Sequence, residues 1–138
     1  MRKRSQSREL ALQILYQLDI TRDGLESALS AFWQMEANQN HSPEVKGFAE
    51  ELVKGVAQHC TMLDGKITGY ATNWELDRMA VVDRNILRLS AYEILVRRDI
   101  PPKVSINEAV ELAKKYSGIQ ASKFVNGILD KIKSERPA

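Results

Sequence analysis

Cross-links, chain breakers and long apolar runs are all scarce in this 138-residue chain, and each scarcity excludes something. The single cysteine, Cys60, has no partner for an intramolecular disulfide. No charged-then-apolar leader precedes the first periodic segment, so a secreted disulfide scaffold is not expected. No uncharged apolar stretch approaches the ~18 residues of a bilayer span, which leaves no membrane segment to expect and makes the reducing cytoplasm the default compartment. Asn40-His41-Ser42 matches a glycosylation sequon in form, but without a secretory signal it reads as plain loop.

Parts for catalysis are scarce as well. His41 and His59 have no cysteine or histidine partner at metal-ligand spacing, so no metal is expected. There is no phosphate-cradling glycine loop of either common type and no serine in a nucleophile elbow, so neither a cofactor nor an enzyme is expected. Glu50, Glu51, Glu108 and Glu111 read as solvated faces or caps, and Cys60, on an apolar stripe, as a buried inert thiol.

Net charge is nearly absent too, at +2, until it is divided along the chain. Arg2, Lys3, Arg4 and Arg8 fall within residues 1–8 with no acid among them, and the other 130 residues are slightly acidic. A basic N-terminal arm, residues 1–8, ahead of a single domain over 9–138 suits an anion, most often nucleic-acid phosphate; the plain alternative is a solubilising tail.

Only four prolines and seven glycines interrupt the chain, and apolar residues recur at helical spacing throughout, which predicts an all-α fold. Leu10, Ala11, Ile14, Leu15 and Leu18 stripe a first helix that begins near Ser5 or Ser7 and ends before Gly24. Leu25 to Ala37 forms a second. From Pro43, a first-turn residue, the pattern Val45, Phe48, Leu52, Val56, Cys60, Leu63, Ile67, Tyr70 predicts the longest helix. Its glycines point to close packing or to a break near Asp64-Gly65. Val82 to Val96 follows, stopped before Pro101-Pro102. Ser105-Ile106-Asn107-Glu108 has the form of a capping box and sets a helix over Ile106 to Tyr116; Ser122 to Lys133 forms the last, with Val125, Ile128, Leu129 and Ile132 inward.

Three stretches carry a family resemblance: Arg8-Glu9-Leu10-Ala11-Leu12-Gln13-Ile14-Leu15-Tyr16; Asp83 to Glu93, reading DRNILRLSAYE; and the pair INEAVELAK, from Ile106, and KFVNGILD, from Lys123. In order and wording they resemble the NusB family of bacterial transcription antitermination factors, over about Arg8 to Ile132. The resemblance implies a compact all-helical protein of two small packed helical bundles, about six to seven helices in all, acting without catalysis. It also implies binding to single-stranded boxA RNA of nascent ribosomal transcripts together with NusE, a small-subunit ribosomal protein, within an RNA polymerase complex that resists termination.

RNA held this way needs cations along its backbone and flat side chains under its bases. Arg2, Lys3, Arg4 and Arg8 supply the first. Tyr16, in the family's LY position, Phe124, one step off its helix's apolar stripe, and Tyr70 are candidates for the second; Lys123 and Asn126 adjoin Phe124. Core packing is the competing role for each aromatic. The arm departs from the family's denser arginine run, since Ser5-Gln6-Ser7 interrupts it. Three to four neutralised phosphates give a log–log salt slope near −2 to −3, which deletion of residues 1–8 should flatten. For NusE, the expected surface is Asp83, Arg84, Leu87 and Arg88, read as an exposed face of mixed charge around one apolar residue. The alternatives are a structural, homodimeric helical module without RNA specificity, and the NusB-like domain of ribosomal RNA methyltransferases, which a chain with no methyl-donor domain disfavours.

Overall fold

The computed structural model describes residues 2–71 and 75–136. Among them are six α-helices and no strand: α1 (Lys3–Thr21), α2 (Leu25–Gln34), α3 (Pro43–Tyr70), α4 (Val81–Val96), α5 (Pro102–Tyr116) and α6 (Ile119–Lys133), with 3-10 turns at Glu36–Asn38 and Leu76–Arg78. None of these helices is long and apolar enough to cross a membrane.

The helices pack as two groups of three. In the first, α1 lies along α3 and α2 closes on α1; in the second, α4, α5 and α6 pack on one another, and α4 also packs against α1 and α3. Each group is held by the apolar stripe that the sequence prescribes: Leu10, Ala11, Ile14 and Leu15 of α1, Leu52, Val56, Leu63 and Ile67 of α3, and Val125, Ile128, Leu129 and Ile132 of α6 are all buried. Burial of one such Leu or Ile side chain contributes about 1.5–3 kcal/mol, so no single stripe is dispensable.

Helix α4 is the junction, and its burial runs round most of its circumference. Asn85, Ile86, Leu87, Leu89, Ser90, Ala91, Tyr92, Glu93 and Ile94 are all buried on it. At the crossing with α3, Gly55 faces Tyr92 so closely that a Cβ there would fall inside the tyrosine ring's contact distance. Gly47, Gly65, Gly69 and Gly127 meet no such neighbour. The break in α3 is at His59 (φ −109°, ψ 15°) rather than at Asp64-Gly65. There the imidazole Nδ1 turns back to within 2.9 Å of the Gly55 carbonyl oxygen, a side chain reaching into the helical ladder, which is a recognised cause of a kink.

The start of α3 is as expected, whereas α1, α5 and α6 begin earlier than expected. Ser42 caps α3, its Oγ accepting from the Val45 amide at 3.2 Å, with Pro43 in the first turn. In α5, however, Pro102 occupies the first turn, and Ser105 is already inside the helix, its hydroxyl donating to Glu93 Oε1 at 2.8 Å. The proline that ends one ladder has no amide to lose at the start of the next, so the helix begins a turn before the capping-box serine. The basic segment also proves to be helix: α1 starts at Lys3, and Ser7 is buried, donating to the Lys3 and Val45 carbonyls.

Candidate nucleic-acid interface

The four basic residues of the N-terminal segment separate into different environments. Arg2, the N-cap of α1, is exposed at the mouth of a groove of about 550 Å³ between α1 and α5, where Glu9, Val104, Asn107, Glu111 and Lys115 also line the walls. Lys3 is exposed but paired with Glu44 at 2.7 Å, and that hydrogen bond holds the Glu44 carboxyl below its usual range. Arg4 is exposed and rests its guanidinium 4.3 Å from the Phe48 ring centroid, on the α3 side of the helix. A guanidinium over an aromatic face is attracted to its quadrupole yet keeps its N–H fork available.

Arg8 corrects the reading of the segment as four free cations. It is 3% exposed. Its Nε donates to Glu93 Oε2 at 2.9 Å and its Nη2 to Glu93 Oε1 at 2.9 Å, while Nη1 lies 3.5 Å from Glu108 Oε1. Glu108 in turn accepts from the Ser5 hydroxyl at 2.5 Å. A buried guanidinium must be neutralised where it sits, so this one binds α1 to α4 and α5 and has no charge to offer a phosphate.

The surface assigned to a protein partner is corrected in the same way. Leu87 is fully buried. Arg84 donates to Asp19 at 2.7 Å, and Arg88 forks onto Asp64 at 2.7 and 3.0 Å while donating to Asp19 at 3.1 Å. Both arginine side chains are largely covered. Burial pushes the Asp19 carboxyl up, but hydrogen bonds from Arg84 and Asn85 and the charges of both arginines outweigh it and leave it below its ordinary value. A single-stripe reading presumes one inward face; α4 has partners on both sides, so its off-stripe residues are inside as well. Asp83 is half-buried, with Oδ1 buried and lacking any donor. Cys60 lies beside this network, half-buried, its thiol pushed up first by burial and then by the charge of Asp64.

The aromatic candidates also divide. Tyr16 is 43% exposed on α1. It stands between two hollows, one of about 380 Å³ shared with Leu12, Gln13, Val82 and Tyr116, the other toward Ile20, Phe32 and Met35. Phe124 is half-buried against the core and lines a hollow of about 350 Å³ with Met79, Ala80, Asp83 and Gln120. Lys123 and Asn126 are exposed beside it on α6. Tyr70 is engaged elsewhere: its hydroxyl donates to Glu135, which also pairs with Lys66, and that carboxylate raises the phenol above its usual range.

Tyr16 and Tyr116 share one hollow with Val82, Asp83 and Phe124 share a second, and Arg2 lines a third with Lys115. Arg4, Arg8, Tyr70, Arg84, Leu87 and Arg88 line none of these three hollows. Tyr116, at the end of α5 and 40% exposed, lines the Tyr16 hollow and was missed from the sequence. The available signal was its place at a helix terminus, off the Ile106, Ala109, Leu112 and Ala113 stripe.

The arrangement has a counterpart among known proteins. A model of the NusB family matches residues 5–134. The chain belongs to the NusB family. Transcription antitermination protein NusB of Anaeromyxobacter sp. (strain Fw109-5) is 51% identical over 135 residues, covering 98% of this chain and 92% of the relative. T. maritima NusB has the same fold, with a TM-score of 0.88 and 37% identity over 98% of this chain and 93% of that one. A NusB chain solved with NusE and dsRNA superposes with a TM-score of 0.87 at 28% identity, over 97% of this chain and 98% of that one. The NusB fold therefore accounts for the two helix groups and for α4 as their junction.

Proposed function

We propose that this chain is a transcription antitermination factor that binds boxA RNA of nascent ribosomal transcripts as a heterodimer with NusE and helps assemble a termination-resistant RNA polymerase complex. The near full-length correspondence with NusB proteins, one of them solved with NusE and dsRNA, carries the reading. It assigns a cytoplasmic task of recognition without catalysis, in which the protein binds and positions but transforms nothing.

The surface residues support a division of labour. Arg2 and Lys123 meet phosphates, Tyr16 and Phe124 stack under unpaired bases, and Asn126 adjoins them with an amide that both donates and accepts. Arg4, held over Phe48, extends the cationic edge toward α3. For NusE, the supporting feature is the first turn of α4, where the Asp83 carboxylate keeps a buried oxygen without a donor. Such a site accepts a partner's cation, because that charge finds an unpaired acceptor already desolvated.

Fluorescence anisotropy of labelled boxA RNA and of a scrambled control, with and without NusE, tests the reading. Selective binding strengthened by NusE is the expected result; equal, weak binding to both RNAs under all conditions overturns it. Sedimentation in the same mixtures separates the homodimeric alternative: a dimer indifferent to RNA and NusE would identify a structural module instead.

A further inference from the structure

We infer that Tyr116 is the second wall of a base-stacking slot whose first wall is Tyr16, an inference that rests on the RNA-binding reading above. The two rings come from opposite ends of the chain, α1 and the last residue of α5, and line the same hollow. Its floor is apolar, formed by Leu12 and Val82, and its edge carries the Gln13 amide. Tyrosines packed as core would close this space; here both remain about two-fifths exposed around it.

The Tyr116 ring is held in place before any ligand arrives. Its hydroxyl donates to Glu9 Oε2 at 2.9 Å and accepts from Gln13 Nε2 at 3.3 Å, so both roles of the phenol oxygen are filled by α1. Lys115 Nζ bonds the same Glu9 oxygen at 2.6 Å and lies 5.5 Å from the ring centroid. The Glu9 hydrogen bond in turn keeps the lysine charged, raising it above its ordinary value. A ring fixed by its polar tip, with Lys115 over it and a hollow beside it, loses little freedom when a base lands on it, which is the condition for efficient stacking. Glu9 and Glu111 line the adjoining groove together with Arg2 and Lys115. The slot's own lining carries no charge, so it takes the base, and the backbone passes on the side of Arg2 or Lys123. An unstacked nucleobase satisfies both the flat apolar walls and the polar rim, because its faces are π surfaces and its edges hydrogen-bond.

The test uses the full-length chain with NusE and boxA RNA carrying single 2-aminopurine substitutions. Stacking on tyrosine quenches that fluorophore, so the substituted position that is quenched on binding marks the base in the slot. Tyr116→Leu should weaken binding about five- to a hundred-fold and relieve quenching at the same RNA position as Tyr16→Leu. The double variant should lose much less than the product of the two single effects, since one base is shared. The salt slope should be unchanged, because no phosphate contact is removed. Tyr116→Phe, which keeps the ring and loses only the brace, should stay within a few-fold of the unsubstituted chain. Unchanged binding by Tyr116→Leu, or relief of quenching at a different position from Tyr16→Leu, overturns the slot while leaving RNA binding intact. Failure of the unsubstituted chain to prefer boxA over scrambled RNA removes the functional reading, and the slot with it.

Discussion

Arg8 of α1 and Glu93 of α4 form a two-pronged ion pair with both side chains almost wholly inside the protein, at 3% and 1% exposure. Removal of either partner strands a buried charge, and breaking such a pair costs about 3–5 kcal/mol. Arg8→Ala and Glu93→Ala should each lower the thermal midpoint strongly, and the double substitution should cost less than the sum of the two. Differential scanning calorimetry of the three variants checks this, and additive losses would show that the pair is not coupled.

The same relationship changes how the basic segment should be probed. Deletion of residues 1–8 removes Ser7 and Arg8 from the interior together with the surface cations, so its effect on RNA cannot be assigned to charge. Arg2→Gln with Arg4→Gln is the cleaner pair. With Arg8 buried and Lys3 engaged by Glu44, about two to three phosphates remain to be neutralised, giving a log–log salt slope near −1.5 to −2 for single-stranded RNA. The double variant should flatten it by about one. Anisotropy titrations at several salt concentrations decide, and an unaltered slope would remove both arginines from the interface.

At the α3–α4 crossing, Gly55→Ala places a methyl group where the Tyr92 ring already is. Overpacking of this kind costs about 1–3 kcal/mol. Urea denaturation should show that loss, and Tyr92→Leu in the same chain should recover part of it, because the obstructing ring is gone. Independent, additive effects would mean that the helices simply separate.

Asp19 gives the fold a dependence on pH. Its folded-state carboxyl is held below the ordinary value, so its contribution is complete above the carboxylate range and disappears as pH falls through the depressed folded value. Asp19→Asn should cost about 1–2 kcal/mol near neutrality through its lost contacts with Arg84 and Arg88. The gap between the two proteins should then close on acidification. Thermal midpoints measured from pH 7 down to pH 3 test this; a gap that widens would contradict the assigned sign.

Much of this molecule was legible in its sequence, for reasons that also mark where the reading stopped. Helix periodicity is a local property, so all six helices and most of their ends follow from the spacing of apolar residues. The exposure of Tyr16 was anticipated as well. What periodicity does not carry is the number of neighbours a helix has: Leu87 is inside because α4 is flanked on two sides. Arg8 was misassigned for a related reason, since its counter-ion lies 85 residues away and charge counting along the chain cannot pair them. Tyr116 gains its place only from Glu9 and Gln13, across a separation that no local pattern encodes.

The long reach of the Arg8 pair also bears on the order of events during synthesis. Helices form within about a microsecond, but contacts between distant segments must wait for loop closure. The segment around Arg8 is anchored by Glu93 and Glu108, which leave the ribosome much later. Until α4 has emerged, α1 lacks its ionic anchor, and until α5 has emerged it lacks the wall that faces Tyr16. RNA binding should therefore appear abruptly once α5 and α6 have emerged, and chains stopped before Glu108 should bind none.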